Sequence, residues 1–214
     1  MLKSRPDSVD ALAGLAGILH KKGNVQGAYE LYQKACLFAP KEVDYKICKA
    51  ACLRETGKLE ASMLVLQEAL KHDDDNPVIY SNIGLSYRKL NDYSSATKAY
   101  SIEISLSPQN ISAFNRRAFC YVKLNDFENA LDDYSRAISI DTSNIHAHYN
   151  KAICHQKLGQ IKSAIEYFTK AIELEPLNPQ AFLNRAACFR QIGRIDNAVT
   201  DYCRATELQN RSGS

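Results

Sequence analysis

Four cysteines recur at a regular spacing, and their chemistry is considered first. Cys120, Cys154 and Cys188 follow one another at intervals of 34 residues, and Cys52 lies two intervals before Cys120. Thiolates bind metals or carry redox chemistry when they converge, but this interval separates equivalent residues by about one helical hairpin, roughly 10 Å. We therefore expect small, buried packing thiols in reduced form.

Other reactive side chains show no catalytic or metal-binding pattern. Cys48 lies one helical turn before Cys52, and three histidines share one segment: His146, His148 and His155. These groups could hold a transition metal only by chance, because the paired Cys-x2-Cys and His-x3-His spacings are absent. A glycine-rich phosphate loop, a G-x-S-x-G elbow and an H-E-x-x-H helix are also absent. No enzyme activity, metal or cofactor is predicted.

Composition favours a folded protein that binds neither nucleic acid nor membranes. Hydrophobic residues make up 45% and charged residues 24% of the 214 positions, as in ordinary globular proteins. The net charge is +3 with no dense basic run, which argues against nucleic acid. The N-terminal segment Met1–Asp10 lacks the apolar core of a secretory signal, and no 18-residue apolar span occurs, so a cytoplasmic location is expected.

Six uninterrupted units of 34 residues organise the chain. The units are residues 9–42, 43–76, 77–110, 111–144, 145–178 and 179–212. The eighth residue of each unit is small: Ala16, Ala50, Gly84, Ala118, Ala152 and Ala186. The twentieth is small as well: Ala28, Ser62, Ala96, Ala130, Ala164 and Ala198. These two positions predict that two helices cross there with their backbones close together.

Between the two small positions, every unit carries a residue suited to ending a helix. It is Gly or Asn, which adopt the left-handed conformation of a C-cap: Gly23, Gly57, Asn91, Asn125, Gly159 and Gly193. Four residues after the second small position comes a ring or a leucine: Tyr32, Leu66, Tyr100, Tyr134, Phe168 and Tyr202. Each unit is therefore predicted to be a hairpin of two helices, A and B, with this large side chain filling the space beside the small ones.

This pattern resembles the tetratricopeptide repeat (TPR) family over residues 9–212. The resemblance implies an all-α fold, a right-handed superhelical solenoid of antiparallel helix hairpins. Residues 1–8 are expected to end a preceding repeat, since Pro6 holds the place where Pro40 stops helix B, and 213–214 form a tail. Because no polar helix covers the last hairpin, the ends are expected to be uncapped and able to self-associate.

Position seven departs from the family, which usually places Leu or Ile there. Four units carry a basic residue at this position: Lys49, Arg117, Lys151 and Arg185. We expect their stems to pack and their charges to reach solvent. The outer B helices carry carboxylates that are expected to be solvated: Glu60, Glu68, Glu128, Asp132, Asp133 and Asp201. The inner face of the stack is therefore expected to be positive.

In such a stack the A helices line a concave groove, and positions 2, 5, 6, 9, 12 and 13 point toward it. Amides at position six form a partial ladder that can pair with the backbone of an extended peptide, and an arginine there favours a carboxylate. Position nine supplies apolar side chains, and basic residues follow the rim. The predicted binding residues are Asn82, Leu85, Arg88, Arg116, Phe119, Tyr149, Asn150, Ile153 and Asn184.

The groove predicts a scaffold or adaptor that binds an extended, acidic or polar segment of a partner protein. A plainer interpretation is that the position-six amides are merely solvated and that Phe119 and Ile153 pack against neighbouring helices. Two other functions remain open. One is a substrate-presenting module of a larger, glycosyltransferase-like enzyme, since the partial ladder is similar to the asparagine ladder of TPR domains that present protein substrates. The other is a self-associating element of a multiprotein assembly.

A chaperone-binding subclass of the TPR family uses a five-residue carboxylate clamp. The best-matching frame in this chain keeps only two of those five residues, Asn82 and Arg116, and has Ile47, Ala51 and Ser112 at the other places. Capture of a chaperone's acidic tail by that clamp is therefore not expected.

Overall fold

The computed structural model describes residues 6–212, with side chains from 9 to 211. These residues form twelve helices and no strand. Contacts within the chain divide it into two compact units, Met1–Pro108 and Gln109–Ser214. Each unit contains three hairpins whose two helices pack against each other. The predicted all-α fold of antiparallel hairpins is thereby confirmed.

The helices of the first unit are α1 (Pro6–Lys21), α2 (Val25–Phe38), α3 (Val43–Glu55), α4 (Leu59–Leu70), α5 (Pro77–Lys89) and α6 (Tyr93–Leu106). Those of the second are α7 (Ile111–Lys123), α8 (Phe127–Ile140), α9 (Ile145–Lys157), α10 (Ile161–Leu174), α11 (Pro179–Gln191) and α12 (Ile195–Ser212). Odd-numbered helices are the A helices. Because α1 begins at Pro6, residues 6–8 form its first turn, and residues 1–5 and 213–214 lie outside the described part.

The two helices of each hairpin meet at the small residues, as predicted. All residues at positions eight and twenty are buried. The contact is tightest in the third hairpin, where a Cβ added to Gly84 would lie 2.5 Å from a ring carbon of Tyr100. Tyr100 is itself fully buried, so the ring occupies the space that a larger residue at position 84 would need. The turns match the prediction too, with φ positive at all six capping residues: Gly23, Gly57, Asn91, Asn125, Gly159 and Gly193.

Position seven is where the sequence-based prediction is wrong. Arg117 and Arg185 do not extend their charges into solvent. Each donates two hydrogen bonds to a carboxylate on the B helix of its own hairpin, Arg117 to Asp133 at 2.6 and 2.9 Å and Arg185 to Asp201 at 2.8 Å twice. Asp133 and Asp201 are buried instead of solvated, because the bidentate pairing compensates part of their desolvation.

The fifth hairpin has a related arrangement without a carboxylate. Lys151 places its Nζ 4.4 Å from the centre of the Tyr167 ring, and Tyr167 occupies the same position of helix B as Asp133 and Asp201 do in theirs. The ring face attracts the ammonium electrostatically. Position 23 of helix B thus provides the partner of a basic position seven in the fourth, fifth and sixth hairpins.

Substituting Gly84 tests the close approach of the helices. We expect Gly84→Ala to lower the free energy of unfolding by about 1–3 kcal/mol, because the new methyl group overlaps the Tyr100 ring. Gly14→Ala is the matched control, since a Cβ at Gly14 meets nothing within 4 Å. It should stabilise the protein by about 0.5–1 kcal/mol, as alanine favours a helix over glycine. Urea unfolding measures both; equal effects would contradict the packing described.

Candidate functional site

The A helices of the second unit carry a continuous set of predicted binding residues. We call the surface formed by positions 5, 6 and 9 of α7, α9 and α11 the A-helix face. Its residues are Asn115, Arg116, Phe119, Tyr149, Asn150, Ile153, Leu183, Asn184 and Ala187. None of these side chains is fully buried, so the face is accessible to a partner.

Tyr149 and Asn184 are bonded to each other across the fifth and sixth hairpins. The Asn184 Nδ2 donates to the Tyr149 hydroxyl oxygen at 2.7 Å. The Tyr149 ring also packs edge-on against the buried Phe168, with the ring centres 5.7 Å apart. Burial raises the pKa of the Tyr149 phenol, so the hydroxyl keeps its proton at neutral pH. The bond leaves that proton and the Asn184 Oδ1 available to a ligand.

Asn150 is held within its own helix. Its Nδ2 donates to the His146 backbone oxygen at 2.8 Å, which directs the Oδ1 away from the helix backbone. Asn115 was missed in the sequence, although position five was counted among the groove positions. Its Oδ1 is buried without a hydrogen-bond partner, which is rare for a polar atom in a folded protein. On this face Asn150 and Asn184 each use their Nδ2 in a hydrogen bond within the protein, which leaves their Oδ1 as the acceptor for a ligand.

Apolar and basic groups lie beside these amides. Phe119 is 37% exposed, a large value for a phenylalanine, and Ile153 is half-buried. The Lys123 Nζ lies 5.4 Å from the centre of the Phe119 ring. Arg116 is half-buried, while Arg190 at the end of α11 is exposed. The face combines an apolar centre with neighbouring positive charge.

The predicted residues of the first unit are arranged differently. Asn82 is only 8% exposed, and both ends of its amide are used. Arg54 Nη1 donates to its Oδ1 at 2.6 Å, and its Nδ2 donates to the Val78 backbone oxygen at 2.9 Å. Leu85 and Arg88 are half-buried on α5. Asn82 therefore links α3 to α5 and has little capacity left for a ligand.

The recurring cysteines are packing residues, as predicted. Cys52, Cys120, Cys154 and Cys188 are at most 1% exposed. Cys52 packs with Ala28 and Tyr32 of the first hairpin and Cys188 with Ala164 and Phe168 of the fifth, so these thiols fill space between successive hairpins. Burial raises the pKa of Cys52 to about 11 and that of Cys154 to about 12. Within the described side chains, no three His, Cys, Asp or Glu groups converge on a point where they could hold a metal.

Sequence comparison identifies the repeats. Family models described as tetratricopeptide repeat match residues 1–43, 78–110, 111–144, 146–178 and 167–200. The chain belongs to the tetratricopeptide repeat family. TPR proteins mediate protein–protein interactions, and their fold is typically a non-catalytic interaction scaffold. No curated protein matches the sequence significantly.

Solved TPR structures share the fold at low sequence identity. PilF of Pseudomonas aeruginosa is 16% identical with a TM-score of 0.79, covering 98% of this chain and 100% of its own. YrrB, described as a TPR protein with an unusual peptide-binding site, is 21% identical with a TM-score of 0.72, covering 84% and 92%. MamA of Desulfovibrio magneticus RS-1 is 18% identical with a TM-score of 0.75, covering 80% and 97%.

Within residues 6–212, no helix has the length and apolar character needed to cross a bilayer.

Thiol reactivity tests the burial of the recurring cysteines. Cys203 is exposed on α12 and should be alkylated first by iodoacetamide at neutral pH. Cys52 and Cys154 should react last, because the fraction of each thiol that is present as the reactive thiolate falls about tenfold for each unit by which its pKa is raised. Peptide mass spectrometry over a time course measures the order. Alkylation of Cys154 as fast as Cys203 in the folded protein would contradict the packing role.

Proposed function

We propose that the A-helix face of α7, α9 and α11 binds an extended segment of a partner protein. The observation that carries the proposal is the Asn184–Tyr149 hydrogen bond, which orients two polar groups at half-buried positions. Together with Asn150, they leave one hydroxyl donor and two carboxamide acceptors for the backbone of a ligand. An extended peptide presents donors and acceptors along its length, so this set suits main-chain recognition.

The apolar centre and the basic neighbours indicate the kind of segment. Phe119 and Ile153 offer a contact for an apolar side chain, because exposed apolar groups rimmed by polar ones mark interaction sites. Lys123 lies against the Phe119 ring, and Arg116 lies one turn before Phe119 on the same helix, so positive charge adjoins the apolar contact. The partner segment is therefore acidic, with an apolar residue among its carboxylates, and the protein acts as a scaffold or adaptor. Asn82 is not included in the proposed site, because its amide is already bonded at both ends.

A peptide selected from a random library on the wild-type protein provides a ligand for the test. Fluorescence anisotropy then measures its Kd for the wild-type protein and for Phe119→Ala. We expect the Kd to rise about 5- to 30-fold, which corresponds to roughly 1–2 kcal/mol for a central aromatic contact. Asn150→Ala should weaken binding less, because it removes a single acceptor.

Leu64→Ala is the matched control for this experiment. Leu64 is an exposed apolar residue on α4, a B helix, and its removal should leave the Kd unchanged. Raising the salt concentration should weaken binding if carboxylates of the peptide meet the basic rim. A Kd that changes equally for Phe119→Ala and Leu64→Ala would contradict the proposed site.

Self-association is a second candidate, favoured by the exposed faces of α1 and α12. On α12, Ile195 is 55% exposed, whereas its counterpart Ile161 one repeat earlier is 8% exposed. On α1, Ile18 is exposed, whereas position ten is fully buried in α3 and α5, at Cys52 and Ser86. A face that is covered in inner repeats and apolar at both ends suits a head-to-tail contact between copies.

Sedimentation velocity over a concentration series tests this second candidate. Wild-type protein should form oligomers as the concentration rises, and Ile195→Glu or Ile18→Glu should each keep it monomeric, since a head-to-tail contact needs both faces. Leu64→Glu adds the same charge on an uninvolved surface and should not alter the distribution. A wild-type protein that stays monomeric throughout the series would exclude the contact.

A further inference from the structure

The second hairpin breaks the pairing of position seven with helix B. In the fourth, fifth and sixth hairpins, position 23 supplies Asp133, Tyr167 and Asp201 as partners of the basic side chain. In the second hairpin the basic residue is Lys49 and position 23 is Val65. Lys49 is half-buried, and it makes no hydrogen bond or ion pair within the described residues. Its charge is therefore not neutralised in the way the other hairpins neutralise theirs.

A second lysine lies one turn before Lys49. Lys46 is only 3% exposed, at a position where three other A helices carry an aromatic residue: Tyr80, Phe114 and Phe182. Its buried Nζ forms an ion pair with Glu68 Oε1 at 3.0 Å, and this lysine lowers the pKa of the Glu68 carboxyl. Glu68 is itself largely in solvent, with 57% of its side chain exposed. Two ammonium groups thus face a single, mostly hydrated carboxylate.

Both lysines line a cleft of about 280 Å³ between α2 and α4. Its other lining residues are Gln33, Cys36, Leu37 and Pro40 from the side of α2, and Val65 and Glu68 from α4. The walls combine an amide donor with apolar side chains. This volume is near the lower end of the range for small-molecule sites. On α3, Lys46 and Lys49 lie on a different side of the helix from Cys48 and Ala51, which occupy the groove positions, so the cleft is distinct from the groove surface.

We propose that this cleft binds a small organic anion, an oxyanion head group carried on a short apolar stem. The head group would lie between Lys46 and Lys49 and accept hydrogen bonds from both ammonium groups and from the Gln33 amide. Its negative charge would take the place of the carboxylate that Asp133 and Asp201 provide in their hairpins and that Val65 lacks. The stem would lie along Leu37, Pro40 and Val65. Attraction is strong at such a site because the lysines are partly withdrawn from water.

Carboxylate and phosphate share this chemistry, and separate probes distinguish them. The Tm of the full chain is measured with sodium hexanoate, with sodium phosphate, and with sodium chloride at equal ionic strength. We expect one of the first two to raise the Tm by about 2–4 °C above the chloride value. Because phosphate also stabilises folded proteins without a site, only a rise that Val65→Asp abolishes counts as binding. Such a rise with hexanoate assigns a carboxylate ligand, and such a rise with phosphate assigns a phosphate ligand. A Tm that is the same in all three salts overturns the proposal.

A variant that restores the missing partner gives the sharpest control. Val65→Asp places a carboxylate where Asp133 and Asp201 lie in their hairpins, and it should occupy Lys49 and abolish the anion-dependent rise in Tm. Val65→Asn has the same shape without the charge and should keep the rise. Gln67→Asp, at an exposed position of α4, repeats the change in net charge and should also keep it. Equal responses of Val65→Asp and Gln67→Asp would overturn the site.

Cys36 provides a readout that does not depend on stability. Its half-buried thiol lines the cleft, so the bound anion should slow its alkylation several-fold, as measured on its own peptide by mass spectrometry. Cys203 lies outside the cleft and serves as the internal reference. The protection should disappear in Val65→Asp. Equal slowing of Cys36 and Cys203 would indicate a general effect of the salt and would contradict binding in the cleft.

Discussion

The close approach of two helices in each hairpin is the constraint on which the rest of this structure depends. At Gly84 the approach leaves no room even for a methyl group, since an added Cβ would lie 2.5 Å from the Tyr100 ring. Once positions eight and twenty face each other, the rotation of both helices about their axes is fixed. The ring or leucine at position 24 then fills the remaining space, and the side chains that point outward are determined.

That rotation also places position seven of helix A opposite position 23 of helix B. In the fourth and sixth hairpins the result is a partly buried arginine–aspartate pair, in which the aspartate is the more buried partner. Burial tends to raise the pKa of Asp133, while the two hydrogen bonds from Arg117 oppose that rise. Such a pair stabilises the fold little more than apolar residues of similar volume would. Removing one partner is strongly destabilising, because the other charge is then left unpaired away from water.

The sequence predicted the hairpins correctly because their signals are local and repeated. Small residues, C-caps and rings recur in every unit, so a single unusual residue such as Leu66 in place of a ring does not obscure the pattern. The Arg117–Asp133 and Arg185–Asp201 pairs were not predicted, since each joins residues sixteen positions apart on different helices. Hydropathy predicts that a charged residue is exposed. The residues next to Asp133 in the sequence give no sign that Arg117 lies opposite it.

The candidate site could be predicted in outline but not in detail. Position six placed Asn150 and Asn184 on an accessible face, whereas Asn82 at the same position is buried and bonded to Arg54. The difference comes from a neighbouring hairpin: Arg54 reaches Asn82 from α3, and no periodicity within one repeat reveals that. Likewise, Asn115 stands out because its Oδ1 is buried without a hydrogen-bond partner, which only the three-dimensional structure reveals.

Side-chain amide NMR with a bound peptide is the most direct measurement of the central claim, that the A-helix face of the second unit binds an extended segment. Adding the selected peptide should shift the side-chain amide signals of Asn150 and Asn184. The signal of Asn129, on the B helix α8, should stay in place. Shifts at Asn129 with Asn150 and Asn184 unchanged would show that the partner binds elsewhere and would contradict the account.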